Sequence, residues 1–379
     1  MKKQTNMKTK NLFGIIFILF LSLHLFAQEE PVGYKFTDIT NIQVSSVKDQ
    51  QNTGTCWSFS TTSFIEAELL RLNKHEYDLS EMYFVRFAYE EKALDYVRYQ
   101  GKANFGEGGQ AHDVLNQIKK YGFVTQQAYP GNEYDPGNYK HRELDKILKA
   151  ILEVVITKPN KKLTSVWFKA YQAVLDTYLG IIPEKTEVNK ELITPLDFVK
   201  KEKFNIDDYV ELTSFTHHPM YSKIILEVPD NWSHDYYYNV PLDEFISVMN
   251  SALKSGYTFV WDGDVGYEGF SHKNEVAIVP EGTVEFTSPQ KEKDVSADYR
   301  QLEFDNLTTT DDHLMHITGL AEDQKGTIYY KTKNSWGDDS NDLGGYLYMS
   351  ESFLRLNTIA IMVHKDAIPK IIKEKLGIK

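Results

Sequence analysis

Two kinds of pattern succeed one another along the chain. From Ser58 to Leu72, Phe59, Ser63, Ala67 and Leu70 recur at helical spacing, with Phe64, Ile65 and Leu69 beside them. Ala111–Tyr121, Tyr139–Ile156, Leu163–Tyr178 and Leu242–Lys254 also read as helices. Later the period shortens: residues 314–320 are mostly apolar and suit a buried strand, a β-rich run follows from Gly326, and Gly344–Met349 and Thr358–His364 read as further strands. Helices early and strands late predict an α+β fold. On this reading residues 28–130 are mainly helical, 131–239 are polar, Lys- and Tyr-rich with helical stretches, and 240–379 are strand-rich.

The N-terminus has a different pattern. Lys2, Lys3, Lys8 and Lys10 precede an apolar run, Leu12–Phe26, that ends at the small Ala27 before Gln28-Glu29-Glu30. A basic start, an apolar stretch too short to span a bilayer and a small closing residue predict a secretory signal peptide over residues 1–27. The expectation is an exported, periplasmic or extracellular protein without stable membrane insertion.

The whole chain carries a net charge of −12. Without the four signal lysines, 38 basic residues face 54 acidic ones, a net −16. No basic stripe or phosphate-binding glycine loop appears, which argues against nucleic acid as a partner. One cysteine, Cys56, is present in all 379 residues, so no internal disulfide can form. A lone thiol is ordinarily a small buried apolar residue, and its neighbours decide whether it is more than that.

Those neighbours are Gln50-Gln51-Asn52-Thr53-Gly54-Thr55-Cys56-Trp57-Ser58-Phe59-Ser60. Cys56 stands where a polar loop enters a helix, and free N–H groups at a helix start favour a thiolate. Gly54 permits a tight backbone just before it. Gln50 lies six residues upstream, where its amide can join the Cys56 N–H as an oxyanion donor.

This segment resembles the nucleophile segment of papain-like cysteine peptidases. Thr53 stands where most of them carry a second cysteine, as in the bleomycin hydrolase and aminopeptidase C branch. The resemblance implies a base followed six residues later by glycine; counting back from Gly319 selects His313, preceded by Asp312, over His316. His316 is then a histidine of the core or the opposite sheet face. It also implies that Asn334, in Asn334-Ser335-Trp336-Gly337, orients the imidazole and that Trp336 shields their bond. The three segments come in the family's order, 257 and 21 residues apart. The resemblance implies a papain-like two-lobed fold: a helical lobe over 28–130 with the nucleophile, a mainly helical insertion over 131–239, and a β-rich lobe over 240–379 with the base and the orienting Asn.

In the same resemblance Gly108 and Gly109 line a substrate cleft before the Ala111 helix, and Leu314 walls the pocket for the residue preceding the scissile bond. The implied activity is peptide hydrolysis by a Cys56 thiolate–His313 imidazolium pair through a thioester, with no metal or organic cofactor. His217-His218 read as a solvated loop feature. An amidase or transamidating enzyme on the same triad, or a silent binding protein, remain the alternatives. The branch also has a C-terminal arm whose carboxylate meets the substrate amine; after Ile368–Lys379 no counterpart follows, which leaves aminopeptidase and endopeptidase action both open, along with a homo-oligomer.

Overall fold

The computed structural model describes residues 33–159 and 161–379, so the signal-peptide reading of residues 1–27 lies outside the described residues. The helices are α1 (Cys56–Asn73), α2 (Glu81–Arg98), α3 (Ala111–Tyr121), α4 (Arg142–Ile156), α5 (Trp167–Leu179), α6 (Pro195–Lys201), α7 (Leu242–Lys254), α8 (Ala297–Asp305), α9 (Glu351–Asn357) and α10 (Lys370–Leu376). The strands are β1 (Phe36–Asn41), β2 (Thr186–Val188), β3 (Glu191–Ile193), β4 (Tyr209–Thr213), β5 (Ser222–Ile225), β6 (Tyr236–Asn239), β7 (Phe259–Gly263), β8 (Phe270–Ser271), β9 (Val276–Ala277), β10 (His313–Asp323), β11 (Ile328–Lys333), β12 (Tyr346–Ser350) and β13 (Thr358–His364). The fold class is α+β, as expected.

Eleven strands form one sheet in the order β5-β6-β4-β13-β7-β10-β11-β12-β9-β8, with β1 also on β10. The long strand β10 is its spine. One edge pairs with β11; the other is shared, Leu314 lying opposite Asp262 of β7 and Gly319 opposite Asn41 of β1. Gly319 has a packing reason: a Cβ there would stand 2.2 Å from the Thr40 carbonyl oxygen. The glycine that marks the base in the sequence is therefore where β1 presses against β10.

The sheet divides the core. On one side α1–α5 pack together with Val260, Leu314 and Met362 of the sheet. On the other, α7, α9 and α10 cover Phe259, Trp261, Met315 and Ile317. Along β7 and β10 the period-2 alternation thus sends successive residues to different cores.

The 131–239 segment does not stay in one place. Leu144, Leu148 and Leu152 of α4 and Tyr171, Leu175 and Leu179 of α5 join the same cluster as α1 and α2. Strands β4, β5 and β6 instead extend the main sheet beyond β13. The β-rich half thus begins about thirty residues before position 240, because short polar-apolar runs such as Tyr209–Thr213 find a free strand edge on β13.

Candidate active site

Helix α1 lies across the face of β10 and is buried on all sides from Cys56 to Leu69. Cys56 is its first residue. Thr55 makes no side-chain cap and the first turn carries no acid, so no fixed group competes with a thiolate for the helix N-terminus. The Leu314 backbone amide, next to His313, reaches the Cys56 thiol and favours its ionised form.

The loop before Cys56 is held by three anchors. Gln50 N–H donates to the Ser335 carbonyl (2.8 Å) and Gly337 N–H to the Lys48 carbonyl (3.2 Å), zipping this loop to the Asn334 loop. Gly54 N–H donates to Glu107 Oε2 (2.5 Å), and a Cβ on Gly54 would lie 2.9 Å from that of Glu107. Gly54 is thus required for the approach of Glu107, while the left-handed backbone falls on Gln51 (φ 53°).

His313 Nε2 lies 2.8 Å from Asn334 Oδ1. A chain of bonds fixes the tautomer. Ser340 Oγ donates to the Gly337 carbonyl (2.6 Å) and accepts from His272 Nε2 (2.8 Å). His272 Nδ1 then accepts from Asn334 Nδ2 (3.2 Å). Asn334 Oδ1 also accepts the Ser335 N–H (2.8 Å), so it is an acceptor on both counts and His313 Nε2 must donate. The lone pair of neutral His313 is left on Nδ1. The half-buried Trp336 lies over this line, its ring 4.9 Å from both His313 and His272.

Burial pushes the Cys56 thiol up to about 12, with the charges of Asp311, Asp230 and Asp262 adding to the rise. Burial also pushes His313 down to about 4, against the Asn334 bond that favours its cation. Each charge alone is therefore disfavoured. A proton moved from Cys56 to His313 creates both charges together, where each offsets the desolvation of the other.

Other sequence-predicted residues are placed as follows. Gln50 is buried; one amide N–H is committed to the Thr53 carbonyl (2.8 Å) and Oε1 accepts from Ser335 Oγ (2.6 Å), leaving one N–H for an oxyanion. His316 is fully buried against α1, with Nδ1 2.9 Å from Ser63 Oγ and no hydrogen bond to Asn334. Leu314 packs in the cluster that contains Cys56. The glycine pair needs a different explanation from substrate approach alone. A Cβ on Gly108 would overlap the Asp230 carboxylate at 2.0 Å, and one on Gly109 would meet Asp113 and the Trp57 ring at 2.9 and 3.0 Å. His217 and His218 both reach Glu227 near the surface, at 3.2 and 2.9 Å.

Sequence reasoning missed His272, Gln110, Asp262 and Asp311, and singled out only Asp312 beside the base. His272 has no local signal, being 62 residues from Asn334.

A helix-borne buried thiol on one lobe and a His–Asn pair at the strand ends of a sheet on the other define a papain-type cysteine peptidase. The chain belongs to the Peptidase C1-like family, whose model matches residues 183–378, and the model of papain family cysteine proteases matches residues 34–191. It falls in the bleomycin hydrolase and aminopeptidase C branch and is a cysteine-type hydrolase. It is 25% identical to aminopeptidase W of Lactobacillus delbrueckii subsp. lactis, over 88% of this chain and 84% of that protein. With mouse (Mus musculus) bleomycin hydrolase it shares 24% identity, over 91% of this chain and 85% of that one. The crystal structure of PepW from Lactobacillus rhamnosis superposes with a TM-score of 0.69 at 19% identity, covering 90% of this chain and 84% of the other.

Proposed function

We propose that this protein is an exported aminopeptidase that releases N-terminal residues from peptides through a thioester on Cys56. The observation that carries the reading is the His313–Asn334 bond, which leaves Nδ1 of His313 as the base on the strand whose Leu314 amide meets the Cys56 sulfur. The names of the relatives support action at a free N-terminus. The N-terminal pattern of residues 1–27 supports export, and N-terminal sequencing of the mature protein tests it.

In this mechanism His313 Nδ1 takes the Cys56 proton, and the thiolate attacks the peptide carbonyl carbon. The oxyanion is held by the Cys56 N–H, which the helix leaves free, and by the remaining amide N–H of Gln50. The carbon–nitrogen bond breaks as His313 returns the proton to the leaving amine, and a thioester remains. His313 then takes a proton from water, the hydroxide attacks the thioester, and the carbon–sulfur bond breaks to restore the thiol.

The test is the rate at which iodoacetamide alkylates Cys56 between pH 6 and 8, in the wild type and in His313→Ala. With no base, burial keeps the thiol protonated across this range, so the variant should react at least about a hundredfold more slowly. Equal rates would end the assignment of Cys56 and His313 as a working pair.

A further inference from the structure

Beside the nucleophile lies a group of carboxylates that the mechanism does not use. Asp262 of β7 lies opposite Leu314 in the ladder with β10. Its side chain shares the sheet face of Val260 and Leu314, which belong to the same core cluster as Cys56. Asp262 is 3% exposed, and neither of its oxygens meets an N–H or O–H donor of the described residues. Among the described residues its strongest charged neighbour is Asp311, two residues before the base, close enough for the two carboxyls to share a proton. Asp311 is half-buried and accepts from Gln110 Nε2 (2.7 Å). Asp230, also half-buried, abuts Gly108 and accepts from Asn104 Nδ2 (3.2 Å).

No salt bridge reaches Asp262 or Asp311 among the described residues. The nearby cation Lys92 donates to the carbonyls of Gly106 and Gly108, and Asp113 and Asp230 are the acids that act on it most. His112 is held by Glu211 at 2.6 Å. Burial and mutual repulsion accordingly raise both carboxyls of the pair, Asp311 to about 7. A buried acid with no partner is costly to the fold. Here Asp262 is sealed, while Asp311 is half-buried and its charge acts on the Cys56 thiol. A ligand cation entering there would replace the shared proton and supply the missing charge.

We propose that Asp262 and Asp311, with Asp230 at the rim, form an ammonium-recognition site on the acyl side of the scissile bond, and that its ligand is the free α-amine of the substrate's N-terminal residue. This rests on the reading of Cys56 as a peptidase nucleophile. The chemistry fits because an N-terminal residue acylating Cys56 carries its ammonium only one carbon from the attacked carbonyl, within reach of groups flanking Leu314. Three carboxylates whose fields reach the thiol are otherwise a liability, since each opposes the thiolate. A bound ammonium cancels that field at the moment the substrate arrives.

The experiment compares leucine aminomethylcoumarin amide with its N-acetyl form, and acetyl-Lys-Leu with acetyl-Ala-Leu amides, in the wild type, Asp262→Asn, Asp311→Asn and the double variant. The free amine should be favoured by about a hundredfold or more in the wild type. The preference should fall about tenfold or more in each single variant, mainly through KM, as for loss of one charged hydrogen bond. Alkylation of Cys56 should not slow in these variants, because removing negative charge favours the thiolate; a misfolded variant would lose it. Free-amine preference surviving in the double variant overturns the site. Carboxylate-dependent preference for acetyl-Lys-Leu over the free amine overturns the α-amine assignment. A second readout is independent of turnover: alanine amide should protect Cys56 from iodoacetamide better than N-acetylalanine amide, and the double variant should abolish the difference. If no substrate turns over, the peptidase reading fails while the protection assay still upholds or overturns the ammonium site.

Discussion

Two sets of buried acids lie on the α1 side of the sheet, and they are treated in opposite ways. Glu66 and Glu81 are each 2% exposed, and Lys48 closes the set: its Nζ lies 2.6 Å from Glu81, 3.4 Å from Glu66 and 2.7 Å from Asp78. Ser45 Oγ (2.5 Å) and the Leu79 N–H (2.8 Å) complete Glu66, while Lys333 donates to Ser63 Oγ (2.7 Å) nearby. Beside Cys56, Asp262 and Asp311 have, among the described residues, only each other and one amide N–H that Gln110 gives to Asp311. A fold that supplies a cation to one buried acid pair and withholds it from another separates structure from function. The first set ties the Lys48 loop to α1 and α2; the second is left to be completed by what binds.

Variants in the two sets should therefore fail differently. The largest effect belongs to the chemistry of the open region: His313→Ala should lower kcat/KM by about 10³- to 10⁴-fold, the upper range for a positioned acid–base group, with little change in Tm. In the closed set, Lys48→Met leaves two buried carboxylates unpaired and should cost about 3–5 kcal/mol in denaturant unfolding, while folded variant keeps the wild-type alkylation rate. A loss of alkylation in step with stability would erase the distinction. Asn334→Ala removes the acceptor that fixes the His313 tautomer and should reduce kcat by about a hundredfold, the lower end of that range.

Smallest and most diagnostic is the pH dependence of Asp311→Asn. Asp311 is raised in the folded protein to about 7, above the ordinary carboxylate value, by burial and by Asp230. The folded state therefore binds more protons than the unfolded one between about pH 4 and 7, and its stability falls as pH rises through that window. Asparagine has no such loss, so Tm of the variant minus that of the wild type should grow from pH 5 to pH 8. A difference constant with pH would place a cation at the pair after all.

Legibility followed the range of the interactions. The strand of His313, the helix of Cys56 and the Asn334 turn were readable because each is set by a few neighbouring residues. Helix α2 was not, since Met82 to Tyr96 are buried on several faces and no one-sided stripe marks them. Strands β4–β6 were hidden for a related reason: they are short, and only the free edge of β13 makes them strands.

The α+β class thus lies in the local spacing of the sequence, and the segments around Cys56, His313 and Asn334 carry the resemblance that implies a nucleophile, a base and an orienting amide and favours His313 over His316. Tertiary structure alone decides which buried charges are answered. Gln110 meets Asp311 across 201 residues and Lys333 meets Ser63 across 270. The orphaned state of Asp262 depends on every group that packs around it and on none that adjoins it in the chain, so only the assembled lobes reveal the site it marks.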